Sequence, residues 1–222
     1  NSASVWYESY SSSDTYFGNV TFNRNGTGPL YLSYSDTTYA RQNLTINSNA
    51  GIDINSSIEF TGSANSTIEQ LGAQPIIMPR LIIRKTGTGS LTLEDSVTVT
   101  TTASFISGNI NTSIGKELIF PNNITYTGAS TTSHVVGPVV KIGDDTFVFP
   151  VGGPTSLNTV AMSAPVGAAS RFTASYINQN PGSNGYNTAL KAGSFGAAAI
   201  SQAGYWDVQR LTGVSNVTLT LG

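Results

Sequence analysis

The chain contains no cysteine among its 222 residues. Disulfides, thiol nucleophiles and thiolate metal centres are therefore excluded, while the compartment stays open. Charge is scarce too: 10% of residues are Asp, Glu, Lys or Arg, against about 25% in an average globular protein. With a net charge of −2 there is no electrostatic footprint for nucleic acid and no basic patch for anionic lipid. A single histidine, His134, rules out a histidine-rich metal site. No run of about 18 apolar residues is present, so no membrane-inserting helix is expected. Helical periodicity is nearly missing as well. The best helical stretch, residues 189–199, is interrupted by Gly193 and Gly196. The first residues, NSASVWYESYSSSD, are polar and aromatic and lack the pattern of a signal peptide.

What the sequence does have is repetition. Residues 20–33 read VTFNRNGTGPLYLS and residues 81–94 read LIIRKTGTGSLTLE. Aligned without a gap, Val20, Phe22, Leu30 and Leu32 fall on Leu81, Ile83, Leu91 and Leu93, and the Gly-Thr-Gly turns coincide. A shorter relative runs from Leu44-Thr45-Ile46 through Gly51 to Ile52-Asp53-Ile54. Apolar pairs begin at Val20, Leu44, Ile58, Leu81, Val97 and Leu118, at unequal intervals. Their average of about 20 residues suits one coil of a solenoid, with loops absorbing the variation. Turns of four or more residues favour stacked coils over tight antiparallel hairpins. Residues 20–129 are thus expected to form a right-handed parallel β-helix, with Asn23, Asn47 and Asn49 stacking coil on coil at the turns. Residues 1–19 read as its N-terminal cap or a junction with a preceding module.

The pattern changes near residue 130. Two strands flank Gly143-Asp144-Asp145, residues 171–177 alternate, residues 178–188 form an Asn-, Gly- and Pro-rich loop, and residues 204–210 and 216–221 supply further strands. This half, residues 130–222, suggests an immunoglobulin-like antiparallel β-sandwich lacking its last strands. The alternation of residues 217–222 stops without a closing turn, which suggests a piece of something longer.

Five blocks, residues 133–138 (SHVVGP), 147–152 (FVFPVG), 172–176 (FTASY), 205–210 (YWDVQR) and 213–221 (GVSNVTLTL), resemble a recurrent module of very large Bacteroidota surface proteins. That module is common in gliding-motility adhesins and other type nine secretion substrates. His134 stands where the module has Tyr, and residues 153–158 replace an expected Tyr-Arg-Pro segment. The resemblance implies a secreted, extracellular, cell-surface protein that builds an adhesive or filamentous structure. It brings no catalytic residues and no ligand.

The candidate sites are few. Asp144 and Asp145 could hold calcium together with turn carbonyls, although a Gly-Asp-Asp-Thr hairpin turn explains them as well. No other cofactor is implied. Trp6, Tyr7 and Tyr10 could stack on sugar rings or meet a neighbouring module, and a cap over the first coil is the alternative. Asp36, Asp53, Glu59 and Asp95 show no aligned ladder of acids, so a polysaccharide-cleaving enzyme is the less favoured reading. His134 reads as a strand histidine. Residues 216–221 alternate cleanly with no Lys, Pro or inward charge, so Val217, Leu219 and Leu221 mark an edge open to another strand. The expected partners are neighbouring modules, copies of the same chain, and surface polysaccharide.

Overall fold

A computed structural model describes residues 15–24, 30–32, 37–49, 52–188 and 201–222. Trp6, Tyr7, Tyr10, Asp36 and the stretch 189–199 lie outside the described residues. The chain is all-β, and its first part is a parallel β-solenoid of about five turns. Val20 pairs in parallel with Leu44, and Leu44 with Ile68, so the stacking expected from the repeats is found.

Each turn presents strands on three faces. The first face holds Thr15–Phe17, Thr37–Ala40, Ser57–Gly62, residues 80–85, residues 102–107 and Thr125–Thr127. The second holds Val20–Arg24, Leu44–Ser48, Ser66–Gln70, Leu91–Leu93, Ile110–Asn111 and Val135–Val136. The third holds Leu30–Leu32, Ile52–Ile54, residues 76–78, residues 97–99, Leu118–Phe120 and Val139–Ile142. Two long strands, Ile76–Lys85 and Val97–Ser107, carry the backbone from the third face round to the first, with a register shift between Val99 and Thr102 where the chain turns.

The two near-identical segments do not occupy equivalent places. Val20 lies on the second face, whereas Leu81 lies on the first, between Ile58 and Ala103. Leu30 is on the third face and Leu91 on the second. An apolar-x-apolar strand, a glycine turn and another such strand describe any corner of a three-sided coil, so the local pattern repeats without marking which corner it is. The short intervals from Leu44 to Ile58 and from Leu81 to Val97 arise the same way, because each jumps between faces. Within the third face, Ile76, Val97, Leu118 and Val139 follow one another at a constant step along the sequence.

Inward residues stack in register, as period-two alternation requires. Ile58, Leu81 and Ala103 form one row and Phe60, Ile83 and Phe105 another, all at most 2% exposed. Corners are tied by asparagine. Asn43 Oδ1 accepts from Thr67 N (3.0 Å), Asn65 Oδ1 from Ser90 N (3.1 Å) and Asn109 Oδ1 from His134 N (3.2 Å). Asn23 and Asn47 lie inside the paired strands and not in the turns expected for them, Asn47 Nδ2 donating to Asn23 Oδ1 (3.2 Å), while Asn49, just past its strand, accepts from Ala73 N through Oδ1. The amides that accept from backbone N–H groups satisfy donors that the turns would leave unpaired.

Val139–Ile142 pairs in parallel with Leu118–Phe120 on one side and antiparallel with Arg171–Ile177 on the other. The changeover to antiparallel structure therefore lies at this strand. Tyr205–Thr212 extends the same sheet beyond Arg171–Ile177. A second layer contains Phe147–Phe149, Val160–Met162 and Leu219–Leu221, all antiparallel. The first layer is continuous with a solenoid sheet by hydrogen bonding, and both layers share with the solenoid one apolar cluster running from Val20 to Ala174. Phe147 packs 5.2 Å from Phe120 and 5.9 Å from Tyr126, ring centre to ring centre. The antiparallel part thus covers the apolar end of the last coil, as a solenoid terminus requires.

Candidate functional site

The chain's scarce charges are largely committed to structure. Glu59 accepts from Arg84 Nε at 2.6 Å, Glu94 pairs with Lys116, and Asp95 Oδ2 accepts from Gln70 N at 2.7 Å. Lys85 is 1% exposed. Its ammonium donates to the carbonyls of Thr61 (2.8 Å) and Arg41 (3.3 Å) and to Ser66 Oγ (2.8 Å), which spans successive coils at one corner. Burial pushes its pKa down.

Asp144 and Asp145 diverge. Asp144 is exposed, and its Oδ1 accepts from Asn122 Nδ2 at 2.9 Å. Asp145 turns inward, and its Oδ2 pairs with Lys141 at 2.9 Å. Lys141 is wholly buried, donates also to the carbonyls of Pro121 (2.7 Å) and Ile124 (3.3 Å), and lies 5.1 Å from the Phe147 ring centre. Desolvation pushes the Lys141 pKa down, against the Asp145 hydrogen bond that raises it. A lysine thus takes the cation position beside Asp145. Among the described residues, no three His, Cys, Asp or Glu side chains converge to hold a metal. Lys141 was legible in the sequence only through parity: it shares its side of the strand with Val139 and so must point inward.

His134 is fully buried. Its Nδ1 lies 2.9 Å from Ser130 O and its Nε2 2.7 Å from Gly153 O. The ring clasps the last coil to the hairpin formed by Gly152–Gly153 and Ser156–Leu157, and it sits in the bend just before strand Val135–Val136, not within a strand as expected.

The remaining candidate is the edge at Val217, Leu219 and Leu221. Leu219 stands opposite Met162, which stands opposite Phe147; Leu221 stands opposite Val160, which stands opposite Phe149. Directly opposite residues share one face of a sheet. Phe147, Met162, Phe149 and Val160 are at most 4% exposed, yet Leu219 is 40% and Leu221 57% exposed. The core-facing rows therefore run out from under their cover at the final strand. On the edge strand of the other layer, Trp206 and Val208 are only partly buried, and they and Val217 pack partly against the core. Trp206 is fixed by its Nε1 donating to Asn158 O at 2.9 Å and by an edge-on contact with Tyr176. Among the described residues, Tyr205–Thr212 pairs only with Arg171–Ile177, and Leu219–Leu221 only with Val160–Met162. Among the described residues the result is a seam with an unpaired backbone edge on each layer, Leu219 and Leu221 exposed on one and Trp206 and Val208 partly buried on the other. Such a seam can accept one further alternating strand, which would gain main-chain hydrogen bonds and bury the leucines.

Compared with protein-family models, with curated proteins and with solved structures, the chain matches none.

Proposed function

We propose that this chain is a non-catalytic structural and adhesive module of a large bacterial cell-surface protein, in which a strand from the next module or from another copy closes the terminal seam. The observation that carries this reading is the exposure of Leu219 and Leu221 in rows whose other members are buried. A further strand laid beside Leu219–Leu221 would bury both leucines and pair the open backbone edge. Two further features support the reading. The solenoid is a weakly charged stack, and its acids Glu59, Glu94 and Asp95 are bonded across coils to Arg84, Lys116 and the Gln70 backbone. The blocks at residues 133–138, 147–152 and 205–210 also resemble those of secreted Bacteroidota adhesins, and on that resemblance the proposal sets the module outside the cell.

The test compares the wild-type chain with the double variant Leu219→Thr, Leu221→Thr by sedimentation velocity and hydrogen exchange. The wild type is expected to self-associate with rising concentration, with residues 214–221 gaining protection as it does. The variant is expected to stay monomeric with the solenoid intact. A wild-type monomer at all concentrations, with residues 214–221 as protected as the core, would refute the proposal.

A further inference from the structure

The antiparallel strands Arg171–Ile177 and Tyr205–Thr212 lead into a tip whose described segments are aromatic, amide-rich and uncharged, while Lys191 of the same connection lies outside the described residues. Residues 178–188 read NQNPGSNGYNT and residues 201–205 read SQAGY, without one charged side chain. Tyr186 is 56% exposed. Its ring meets that of Tyr205 edge-on, with centres 5.2 Å apart at 67°. The pair is held rather than loosely displayed. Pro181 is buried and roots the short turn Pro181–Asn184, Asn180 Oδ1 accepts from Gly182 N at 2.8 Å, and Tyr186 N donates to Pro181 O at 3.2 Å. Asn184 Nδ2 donates to the Tyr205 hydroxyl at 2.7 Å, and Asn180 Nδ2 to Gln202 Oε1 at 3.3 Å. Among the described residues, Asn184 Oδ1, Gln202 Nε2 and Gln179 Nε2 have no protein partner, so acceptors and donors fringe the aromatic pair.

We propose that this tip binds a neutral sugar chain, an inference that rests on the adhesive reading and supplies its ligand class. A pyranose ring offers a face of C–H groups and a rim of hydroxyls. The C–H face packs on the electron-rich face of an exposed tyrosine, and the hydroxyls both donate to and accept from side-chain amides. Neither described segment of the tip carries a cation to pair with a uronic acid or a sulfate, so the groups seen around Tyr186 suit neutral hydroxyls, and hexagalacturonate tests whether Lys191 of the same connection alters that preference. The braced turn lowers the ordering cost of binding, because Tyr186 and Asn184 are already fixed.

The experiment titrates wild type, Tyr186→Ala and Tyr186→Phe with cellohexaose, laminarihexaose and mannohexaose, and with hexagalacturonate as the anionic control. Calorimetry reads binding, and a reducing-end assay runs alongside. At least one neutral hexamer is expected to bind, about tenfold more weakly in Tyr186→Ala, as loss of one stacked ring implies. Tyr186→Phe should retain most of the affinity, and the melting temperature should not move, since Tyr186 is largely outside the core. The inference is overturned if none of the three neutral hexamers binds at millimolar concentration, if hexagalacturonate binds best, or if Tyr186→Ala binds as well as wild type. Release of reducing ends would instead sink the non-catalytic reading while leaving the site standing. Failure of sugar binding with the terminal association intact would sink the site alone.

Discussion

Replacing Gly128 by alanine tests whether contact between coils, and not turn conformation alone, requires glycine at a solenoid corner. Gly128 has φ +77° and follows Thr127, which pairs with Ser104 of the preceding coil. A Cβ at Gly128 would lie 2.2 Å from Phe105 O and 3.3 Å from its carbonyl carbon. Neighbouring strands lie only about 4.8 Å apart, so the added carbon cannot be housed without prying the coils open. Gly115 provides the control: its φ is +84°, and a Cβ there would meet nothing within 4 Å. Left-handed backbone with a side chain costs about 1–2 kcal/mol, which is the whole expected effect of Gly115→Ala. Gly128→Ala adds an overpacking cost of about 1–3 kcal/mol, so its total should be about 2–5 kcal/mol. Urea unfolding of both variants measures the difference through the midpoint, provided the slope is unchanged. Equal destabilisation by the two substitutions would refute the reasoning, because the coil-to-coil term would then be absent.

Buried ionisable groups supply two more tests. Asp145→Asn leaves the buried Lys141 ammonium without its carboxylate and should destabilise the chain by about 3 kcal/mol, read by thermal melting. Adding Lys141→Met should recover part of that loss by removing the charge, although the Pro121 and Ile124 carbonyls then lack a donor, and an unchanged melting point in Asp145→Asn alone would contradict the assignment. Burial pushes the Tyr126 pKa up to about 12, above the unfolded value of about 10. The stability it contributes is full below about pH 10 and lost as pH rises through about 12. Tyr126→Phe should flatten that alkaline decline, and a decline of the same slope in the variant would count against it.

Local pattern was enough to specify the class of structure. Apolar alternation set which side chains face inward, glycine and asparagine set the turns, and the recurrence of both demanded stacking. Each strand carries those signals whole. They could not tell one corner of a three-sided coil from another, so the near-copy at residues 20–33 and 81–94 landed on different faces. The alternation of Leu219 and Leu221 was legible as an edge, but its exposure depends on how far the opposing layer reaches, which is a property of the packed pair of sheets. Lys141 carried an inward parity in the sequence, yet its partner across the turn emerged only when Phe147 and the Pro121 and Ile124 carbonyls closed around it. Tyr186 and Tyr205 stand far apart along the chain, and the composition around Tyr186 says only loop. Their meeting follows from the antiparallel register of Arg171–Ile177 with Tyr205–Thr212, which sets Tyr205 opposite Ile177, where the segment bearing Tyr186 begins. All of these sites depend on which distant backbones lie side by side, and only burial of a shared core selects that pairing.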